Sequence, residues 1–271
     1  MKALVYDATA APPEVRDVPD PACPPDGVII EVAATGVCRS DWHAWQGHDP
    51  VPLPQVGGHE FAGTVAAVGE QVRRWAVGDR VTAPFVNGCG RCEFCLTGDA
   101  QVCPDQTQPG FTGWGSFAEL VAVRAADLNL VRLPDPLGFA EAAALGCRFA
   151  TAYRAVTEHG AVRPGQRVAV FGCGGAGLSA IMIASALGAR VVAVDPAGPA
   201  RELAGSLGAE VVIDPTRADA ADSIMELGGA HVTLDCIGAA PVAVAAVRSL
   251  RRRGRHVQVG LLLGGQATPP L

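Results

Sequence analysis

The sequence predicts an α/β protein of two domains, a small irregular β-barrel followed by a doubly wound parallel sheet. Three observations support this. Short β-like runs separated by Gly and Pro turns fill the first half, strands and helices alternate in the second half, and a glycine-rich loop joins a strand to a helix where the alternation begins. The change from β-like runs to alternating strands and helices occurs near position 147, so we expect domains over residues 1–147 and 148–271.

The pattern predicts five strands in the first half, over residues 2–6, 28–33, 64–68, 80–83 and 117–123. In the second half it predicts strands at 167–171, 190–194, 211–213, 232–235 and 256–261, with helices that end at 187, begin at 200 and end at 250. Arg251–Arg253 is interpreted as the end of the last helix with Gly254 as its cap, because cations complement the helix dipole there. Parallel strands joined by helices indicate a sheet covered on both faces.

Composition limits the classes of function. Of 271 residues 49% are apolar and 18% are charged, which favours sizeable cores and argues against a disordered chain. A net charge of −6 argues against a nucleic-acid partner and favours a small-molecule one. The sequence contains no apolar run of membrane-spanning length and does not begin with a signal-peptide pattern, so we expect a cytoplasmic protein with reduced thiols.

Four cysteines lie close together in a segment rich in Gly and polar residues, at about 87–104. They are Cys89, Cys92, Cys95 and Cys103. This spacing is typical of a closed tetrathiolate site, in which structural zinc replaces a hydrophobic core. The alternative is a pair of disulfides, which requires a secreted protein. We therefore predict structural zinc.

A nucleotide-binding pattern opens the second half. An apolar strand at 168–171 is followed directly by a glycine-rich loop and then by an apolar helix, and the loop contains Gly172, Gly174, Gly175 and Gly177. The helix amino terminus would hold a diphosphate. Asp195 ends the next strand, where a carboxylate accepts from a ribose hydroxyl and repels a 2′-phosphate, which favours NAD over NADP. A glycine-rich turn without nucleotide and an ordinary strand-end carboxylate are the alternatives.

Three separated residues have the chemistry of an open metal site. Cys38, His59 and Cys147 could supply two thiolates and one imidazole, leaving the fourth position of zinc for water or substrate. Judged by residue type alone, buried thiols and a satisfied core histidine remain open as alternatives.

The motifs together identify a family. The Gly-His-Glu motif at 58–60, the four-cysteine lobe, the segments 78–81 and 146–149, and the glycine loop with Asp195 cover the chain nearly end to end. With them the chain closely resembles the zinc-dependent alcohol dehydrogenases of the medium-chain dehydrogenase/reductase superfamily. The resemblance implies a GroES-like catalytic domain over 1–147 and a Rossmann NAD-binding domain over 148–271. It also implies reversible hydride transfer between a primary or secondary alcohol and NAD.

The resemblance also implies roles for single residues. Cys38, His59 and Cys147 match the ligands of a catalytic zinc, and Glu60 matches a glutamate that can replace water on it. Ser40 and His43 match the proton relay from substrate to solvent, and Asp41 matches the carboxylate that orients the histidine ligand. Arg39 matches a contact to cofactor phosphate, and Thr151 a contact to nicotinamide. The implied cofactors are two zinc ions per chain and NAD.

The substrate pocket and the end of the chain are less readable. Phe85 matches a pocket-wall aromatic, and Trp42, Trp45, Phe111 and Trp114 could line an apolar cleft or belong to the core. A polyol or amino-alcohol dehydrogenase of the same superfamily is therefore an alternative. Family members continue past the fifth strand, so the second domain is expected to lack its sixth strand and a return segment, leaving the fifth as an apolar edge. A non-catalytic zinc- and nucleotide-binding module is the second alternative, and the dimeric or tetrameric state of the family stays open here.

Overall fold

The structure is a computed structural model that describes residues 1–262. The chain divides into two compact units, Met1–Cys147 and Arg148–Leu271. Residues 263–271, over which the predicted second domain extends, lie outside the described residues. None of the helices between residues 1 and 262 is both long and apolar enough to cross a membrane.

The first unit is built from short antiparallel strands. They are β1 (Lys2–Tyr6), β2 (Glu14–Asp17), β3 (Val28–Gly36), β4 (Gln55–Val56), β5 (Glu60–Val68), β6 (Arg80–Thr82), β7 (Leu120–Val123) and β8 (Val131–Arg132). Among the described residues they form a three-stranded sheet in the order β2-β1-β4 and a five-stranded sheet in the order β7-β3-β5-β6-β8. The helices are α1 (Arg39–Trp45), α2 (Glu93–Thr97), α3 (Ala126–Asn129) and α4 (Phe139–Ala143). A π-helical turn, Leu145–Phe149, ends the unit and leads into the second.

The larger sheet buries the apolar residues that predicted its strands. Val28, Ile30, Phe61 and Val65 are at most 1% exposed and pack in one cluster. The predicted strand at 2–6 is confirmed, and the one at 64–68 begins earlier, at Glu60. Sequence pattern missed β2, β4 and β8, each of which is short and contains a single apolar residue.

The second unit is a parallel sheet with helices on both faces. Its strands are β9 (Arg167–Phe171), β10 (Arg190–Val194), β11 (Ala209–Ile213), β12 (Ala230–Asp235) and β13 (Leu250–Gln258). Its helices are α5 (Ala150–Arg154), α6 (Gly175–Ala186), α7 (Gly198–Ser206), α8 (Ala220–Glu226) and α9 (Ala240–Arg248). Within residues 1–262 the strand order is β11-β10-β9-β12-β13, as the doubly wound prediction requires.

Strand β9 illustrates why this sheet forms. Val168 and Val170 point into one apolar cluster, and Ala169 and Phe171 point into another on the opposite face. A strand buried on both faces reads as a continuous apolar run, which is the pattern that predicted it. The predicted strands at 167–171 and 190–194 are confirmed residue for residue.

The interpretation of Arg251–Arg253 as a helix end is wrong. Helix α9 stops at Arg248, and Ser249 caps it with its backbone N–H and its hydroxyl, both donating to Ala245. The Ser249 carbonyl accepts from Ala230 and so draws the chain into β13 at Leu250. The arginines therefore lie on a strand. This strand begins at Leu250, six residues before the predicted start at 256. In the described part of the chain β13 is an edge strand, but its exposed arginines make this edge basic rather than apolar.

Candidate functional site

Two groups of side chains among residues 1–262 could hold a metal ion, and both lie in the first unit. One group consists of Cys38, His59, Glu60 and Cys147, and the other of Cys89, Cys92, Cys95 and Cys103. In each group the ligand atoms lie within 4.8 Å of one another. The structure thus brings together the separated residues from which the sequence predicts an open metal site.

Strand register places Cys38 beside His59. Gly36 at the end of β3 pairs with Glu60 at the start of β5. Cys38 lies two residues beyond that pair and His59 one residue before it, so both occupy the same end of the sheet. The His59 segment is held there because Ser116 and Phe117 donate backbone hydrogen bonds to Gly58 and Gly57.

Cys147 reaches the same place from the π-helical turn. Phe85, just after β6, donates its backbone N–H to the carbonyl of Gly146 at 3.0 Å. Strand β6 pairs with β5, with Ala62 opposite Thr82. The turn therefore lies against the strand that begins next to His59, and Cys147 is 8% exposed.

Asp41 fixes the orientation of His59. One of its carboxylate oxygens accepts from His59 Nδ1 at 3.0 Å and from the backbone of Gly58, and the other accepts from the backbone of Cys38. With Nδ1 occupied, the imidazole presents Nε2 to the cluster. Nε2 is fully buried and has no hydrogen-bond partner in the described residues. A buried nitrogen of this kind requires a partner, and a zinc ion held by Cys38, His59 and Cys147 would supply it.

The ionisation of these groups also fits a cation. The hydrogen bond from Cys147 lowers the pKa of Cys38, while the Cys38 thiolate, together with burial, raises the pKa of Cys147 far above its ordinary value. Burial alone would lower the pKa of His59, but Asp41 and Cys38 raise it to about 9. A cation bound between the two sulfurs would lower the pKa of the second thiol, so the cluster suits a positively charged ligand.

The four-cysteine lobe has the dimensions of a closed site. Cys92 Sγ lies 3.5 Å from Cys95 Sγ and 3.7 Å from Cys103 Sγ. A zinc–sulfur distance of about 2.3 Å corresponds to sulfur–sulfur separations of about 3.8 Å in a tetrahedron, whereas a disulfide needs about 2.05 Å. Leu96 and Val102 are 73% and 55% exposed, so the apolar side chains of the lobe point away from the sulfurs. The arrangement fits structural zinc and not disulfides.

Asn129 anchors the lobe, and the sequence pattern did not identify it. Its side chain accepts from the backbone N–H of Gly88 and donates to the carbonyl of Gly88, each at 2.9 Å. It is 3% exposed on α3. Because a lone Asn has no characteristic spacing in the sequence, only the structure identifies this clamp.

Helix α1 carries the predicted relay residues. Ser40 Oγ lies 3.8 Å from Cys38 Sγ, and His43 lies on the same face of the helix, three residues later. His43 Nδ1 is 3.1 Å from Nδ1 of His48, an exposed residue that belongs to no sequence motif. Burial, Arg39 and His48 lower the pKa of His43. The Arg39 guanidinium is exposed and lies 3.9 Å from the ring centroid of Trp42.

Aromatic rings flank the imidazole of His59. The rings of Phe111 and Phe85 lie 5.2 and 6.2 Å from that of His59, centroid to centroid. Trp45 instead donates to the carbonyl of Ala11 at 2.7 Å, which ties it to the surrounding backbone. Two of the predicted pocket aromatics are thus beside the candidate metal site.

The glycine loop of the second unit is shaped for close approach. A Cβ on Gly177 would meet the carbonyl oxygen of Gly172 at 1.8 Å, so the helix packs on the strand only because this side chain is absent. A Cβ on Gly174 would meet no atom within 4 Å, and no side chain caps α6 at that residue. Open space therefore lies next to Gly174 at the start of α6, and the Arg148 side chain lies against the following residue, Gly175. The space beside Gly174 is the candidate cradle for a diphosphate.

Asp195 lies beside that cradle, half-buried at the end of β10. Its two carboxylate oxygens accept from the backbone N–H groups of Cys173 and Ala197, each at 2.8 Å. These bonds fix the carboxylate next to the loop, and each oxygen keeps a lone pair that can accept from a ribose hydroxyl. Thr151 lies in α5, half-buried.

Comparisons with known proteins agree with this geometry. Residues 24–135 match the alcohol dehydrogenase GroES-like domain, and residues 175–271 match the zinc-binding dehydrogenase domain. An alcohol dehydrogenase of Geobacillus stearothermophilus is 40% identical over 265 residues, which cover 96% of this chain and 78% of that protein.

Solved structures are similar over the whole chain. The alcohol dehydrogenase TADH from Thermus sp. ATN1 has a TM-score of 0.94 at 32% identity, covering all of this chain and 80% of that one. An NAD-dependent alcohol dehydrogenase has a TM-score of 0.90 at 33% identity, with the same coverage. The chain belongs to the zinc-dependent alcohol dehydrogenases of the medium-chain dehydrogenase/reductase superfamily.

Proposed function

We propose that this protein is an NAD-dependent zinc alcohol dehydrogenase that interconverts primary or secondary alcohols with the matching aldehydes or ketones. The observation that carries this proposal is the cluster of Cys38, His59 and Cys147 around an orphaned, fully buried imidazole nitrogen, in a chain of this family. Its substrates are small molecules, and its thiols suit the reducing cytoplasm.

Residues 1–147 form the GroES-like catalytic domain and residues 148–271 the Rossmann NAD-binding domain of this proposal. Cys38, His59 and Cys147 would hold the catalytic zinc, with Glu60 beside them as an occasional ligand. Cys89, Cys92, Cys95 and Cys103 would hold the structural one. When bound, the catalytic zinc supplies the Lewis acidity that lowers the pKa of a substrate hydroxyl, and NAD supplies the hydride acceptor.

Residues of the first unit prepare the site for this chemistry. With zinc bound, Asp41 would keep the single proton of His59 on Nδ1, which leaves Nε2 to bind the metal. Phe85 and Phe111 flank that imidazole and favour an apolar substituent on the alcohol over a polyol chain.

Helix α1 offers a route for the hydroxyl proton. Ser40 Oγ would accept it next to Cys38, and His43 on the same helix face would receive it in turn. The hydrogen bond between Nδ1 of His43 and Nδ1 of His48 extends the route to an exposed residue. The lowered pKa of His43 keeps its imidazole neutral at physiological pH, so it is able to accept the proton.

The second unit would bind the dinucleotide. Gly172, Gly174, Gly175 and Gly177 shape the cradle at the start of α6, and Asp195 would accept from the ribose hydroxyls. Arg39 would contact cofactor phosphate, and Thr151 would contact nicotinamide.

The direct test is a substrate panel with metal analysis. We expect two zinc ions per chain and formation of NADH, followed by absorbance, from short, branched and aromatic alcohols. Removal of zinc with a chelator should abolish NADH formation. Oxidation of polyols in preference to apolar alcohols would contradict the proposed pocket. One zinc ion per chain with no NADH from any alcohol would contradict the enzyme altogether.

Asp195→Ala should relax the choice of cofactor. Hydrogen bonds to charged groups contribute about 1.5–3 kcal/mol, so the ratio of kcat/KM for NAD to that for NADP should fall at least about tenfold. Asp222→Ala is the matched control, because it removes an exposed carboxylate from the first turn of α8. An unchanged ratio in Asp195→Ala, at unchanged Tm, would remove the role assigned to this carboxylate.

A further inference from the structure

A strongly basic cavity lies in the second unit, at the end of the sheet where the amino termini of β9, β12 and β13 meet. Its volume is about 400 Å³, within the range of small-ligand sites. Its lining includes Arg163, Arg251, Arg252, Arg253, Arg255, Gln166 and His231. The glycine loop follows the carboxyl end of β9. At about 3.3 Å per residue, the two ends of this five-residue strand are more than about 10 Å apart. The cavity is therefore distinct from the dinucleotide cradle.

Within the described residues, no carboxylate forms an ion pair with the arginines of the cavity. Arg132, Arg190 and Arg248 elsewhere in the chain pair with carboxylates. The five cavity arginines form no ion pair within residues 1–262. Such a concentration of unpaired guanidinium groups stands out in a chain with a net charge of −6. Arginine presents a planar fork of N–H donors that matches phosphate oxygens in pairs.

His231 shows that the cavity has one donor too many. The backbone N–H of Arg167 donates to His231 Nδ1 at 3.0 Å, and Arg251 Nη1 lies 2.7 Å from His231 Nε2. A neutral imidazole has a single acceptor nitrogen. With Nδ1 accepting, Nε2 carries a hydrogen that faces an N–H of Arg251. An anionic oxygen that accepts from both groups would remove this conflict.

The backbone at the start of β13 adopts a strained conformation that positions these arginines. Arg253 has a φ of 64°, a backbone conformation that residues other than glycine rarely adopt. Arg255 is fixed by donating to the carbonyl of Gly160 at 3.2 Å. Strained residues that persist in a fold commonly mark binding sites. The strand start thus presents its arginines from an ordered backbone.

We propose that this cavity binds a small phosphate-bearing anion with at least two negative charges, such as a diphosphate group, separately from the glycine loop. Arg251 and His231 Nε2 donate to one phosphate oxygen from two sides, and the neighbouring arginines neutralise the remaining charge. The site is independent of alcohol oxidation.

The test is calorimetric titration of the zinc-loaded full chain with inorganic pyrophosphate, in the presence and absence of saturating NADH. We expect one saturable site per chain that persists when NADH is bound. Arg251→Gln should weaken binding at least about tenfold, as expected for loss of a charged hydrogen bond. Arg248→Gln is the matched control, since it removes the same charge three residues away but outside the cavity, and it should change the dissociation constant less than twofold.

A second variant addresses the imidazole. His231→Asn keeps an acceptor for Arg167 but removes Nε2, so it should weaken pyrophosphate binding while Tm without ligand stays near the wild-type value. The proposal would be overturned if pyrophosphate competes with NADH and its dissociation constant is unchanged in Arg251→Gln. So would an RNA oligonucleotide that binds more tightly in proportion to its length, because that behaviour indicates a polymer surface. The Arg251→Gln comparison needs no dinucleotide, so its result is separate from that of the proposed function.

Discussion

Cys38→Ser is expected to abolish NAD-dependent alcohol oxidation and to lower the zinc content from two ions per chain to one. Serine is nearly isosteric, but its hydroxyl does not ionise near neutrality and is a poor zinc ligand. Loss of a residue that only supports a ligand costs about 10–100-fold, and loss of the ligand itself should cost more. The measurements are kcat/KM for a primary alcohol and zinc by elemental analysis.

Cys23→Ser is the matched control for this variant. Cys23 is exposed and belongs to neither metal-ligating group, so the same substitution there should leave activity and zinc content unchanged. A Cys38→Ser protein that keeps full activity and both zinc ions would show that the assignment of Cys38 is wrong. If Cys38→Ser loses activity with both ions retained, Cys38 supports the reaction in some other way than by binding metal.

Cys103→Ser is expected to have the largest effect on stability. Cys103 is 1% exposed, and its sulfur lies 3.7 Å from that of Cys92. The apolar side chains of the lobe point outward, so the lobe has no core to hold it when zinc is lost. Loss of a metal is among the mechanisms that exceed about 4 kcal/mol. At about 2–4 °C per kcal/mol for a chain of this size, Tm should fall by about 10 °C.

Three measurements locate this effect. Tm by calorimetry gives its size, elemental analysis should show one zinc ion, and limited proteolysis should cut within residues 87–104. Cys23→Ser again serves as the control with an unchanged Tm. A Cys103→Ser protein with wild-type Tm and two zinc ions would contradict the structural role of the lobe.

Local patterns predicted most of the fold. The strand at 167–171 alternates between two buried faces, and its glycine loop follows at once, so both are recognisable in a short window. The four cysteines of the lobe are equally local, since 15 residues include all of them. The Arg251–Arg253 interpretation failed because both a helix end and an edge strand accept exposed arginines, and only the pairing of Ala230 with Leu250 distinguishes them.

The candidate catalytic site required more than local pattern. Residue types alone left Cys38, His59 and Cys147 open, and the resemblance to a family selected them. In the structure, the register of Gly36 with Glu60 and the bond from Phe85 to Gly146 bring them together. His48 and Asn129 had no motif at all, and their hydrogen bonds to His43 and Gly88 exist only after folding.

By itself, the sequence determined the fold class, the position of the glycine loop and the grouping of the four cysteines of the lobe. Each of these depends on neighbours in the chain, through periodicity, turn chemistry or spacing. Only the tertiary structure decided where the imidazole nitrogen of His59 points. It also decided how arginines that are far apart in the sequence of the second unit line one cavity. Those arrangements follow from strand register and packing between distant segments, which no local pattern encodes.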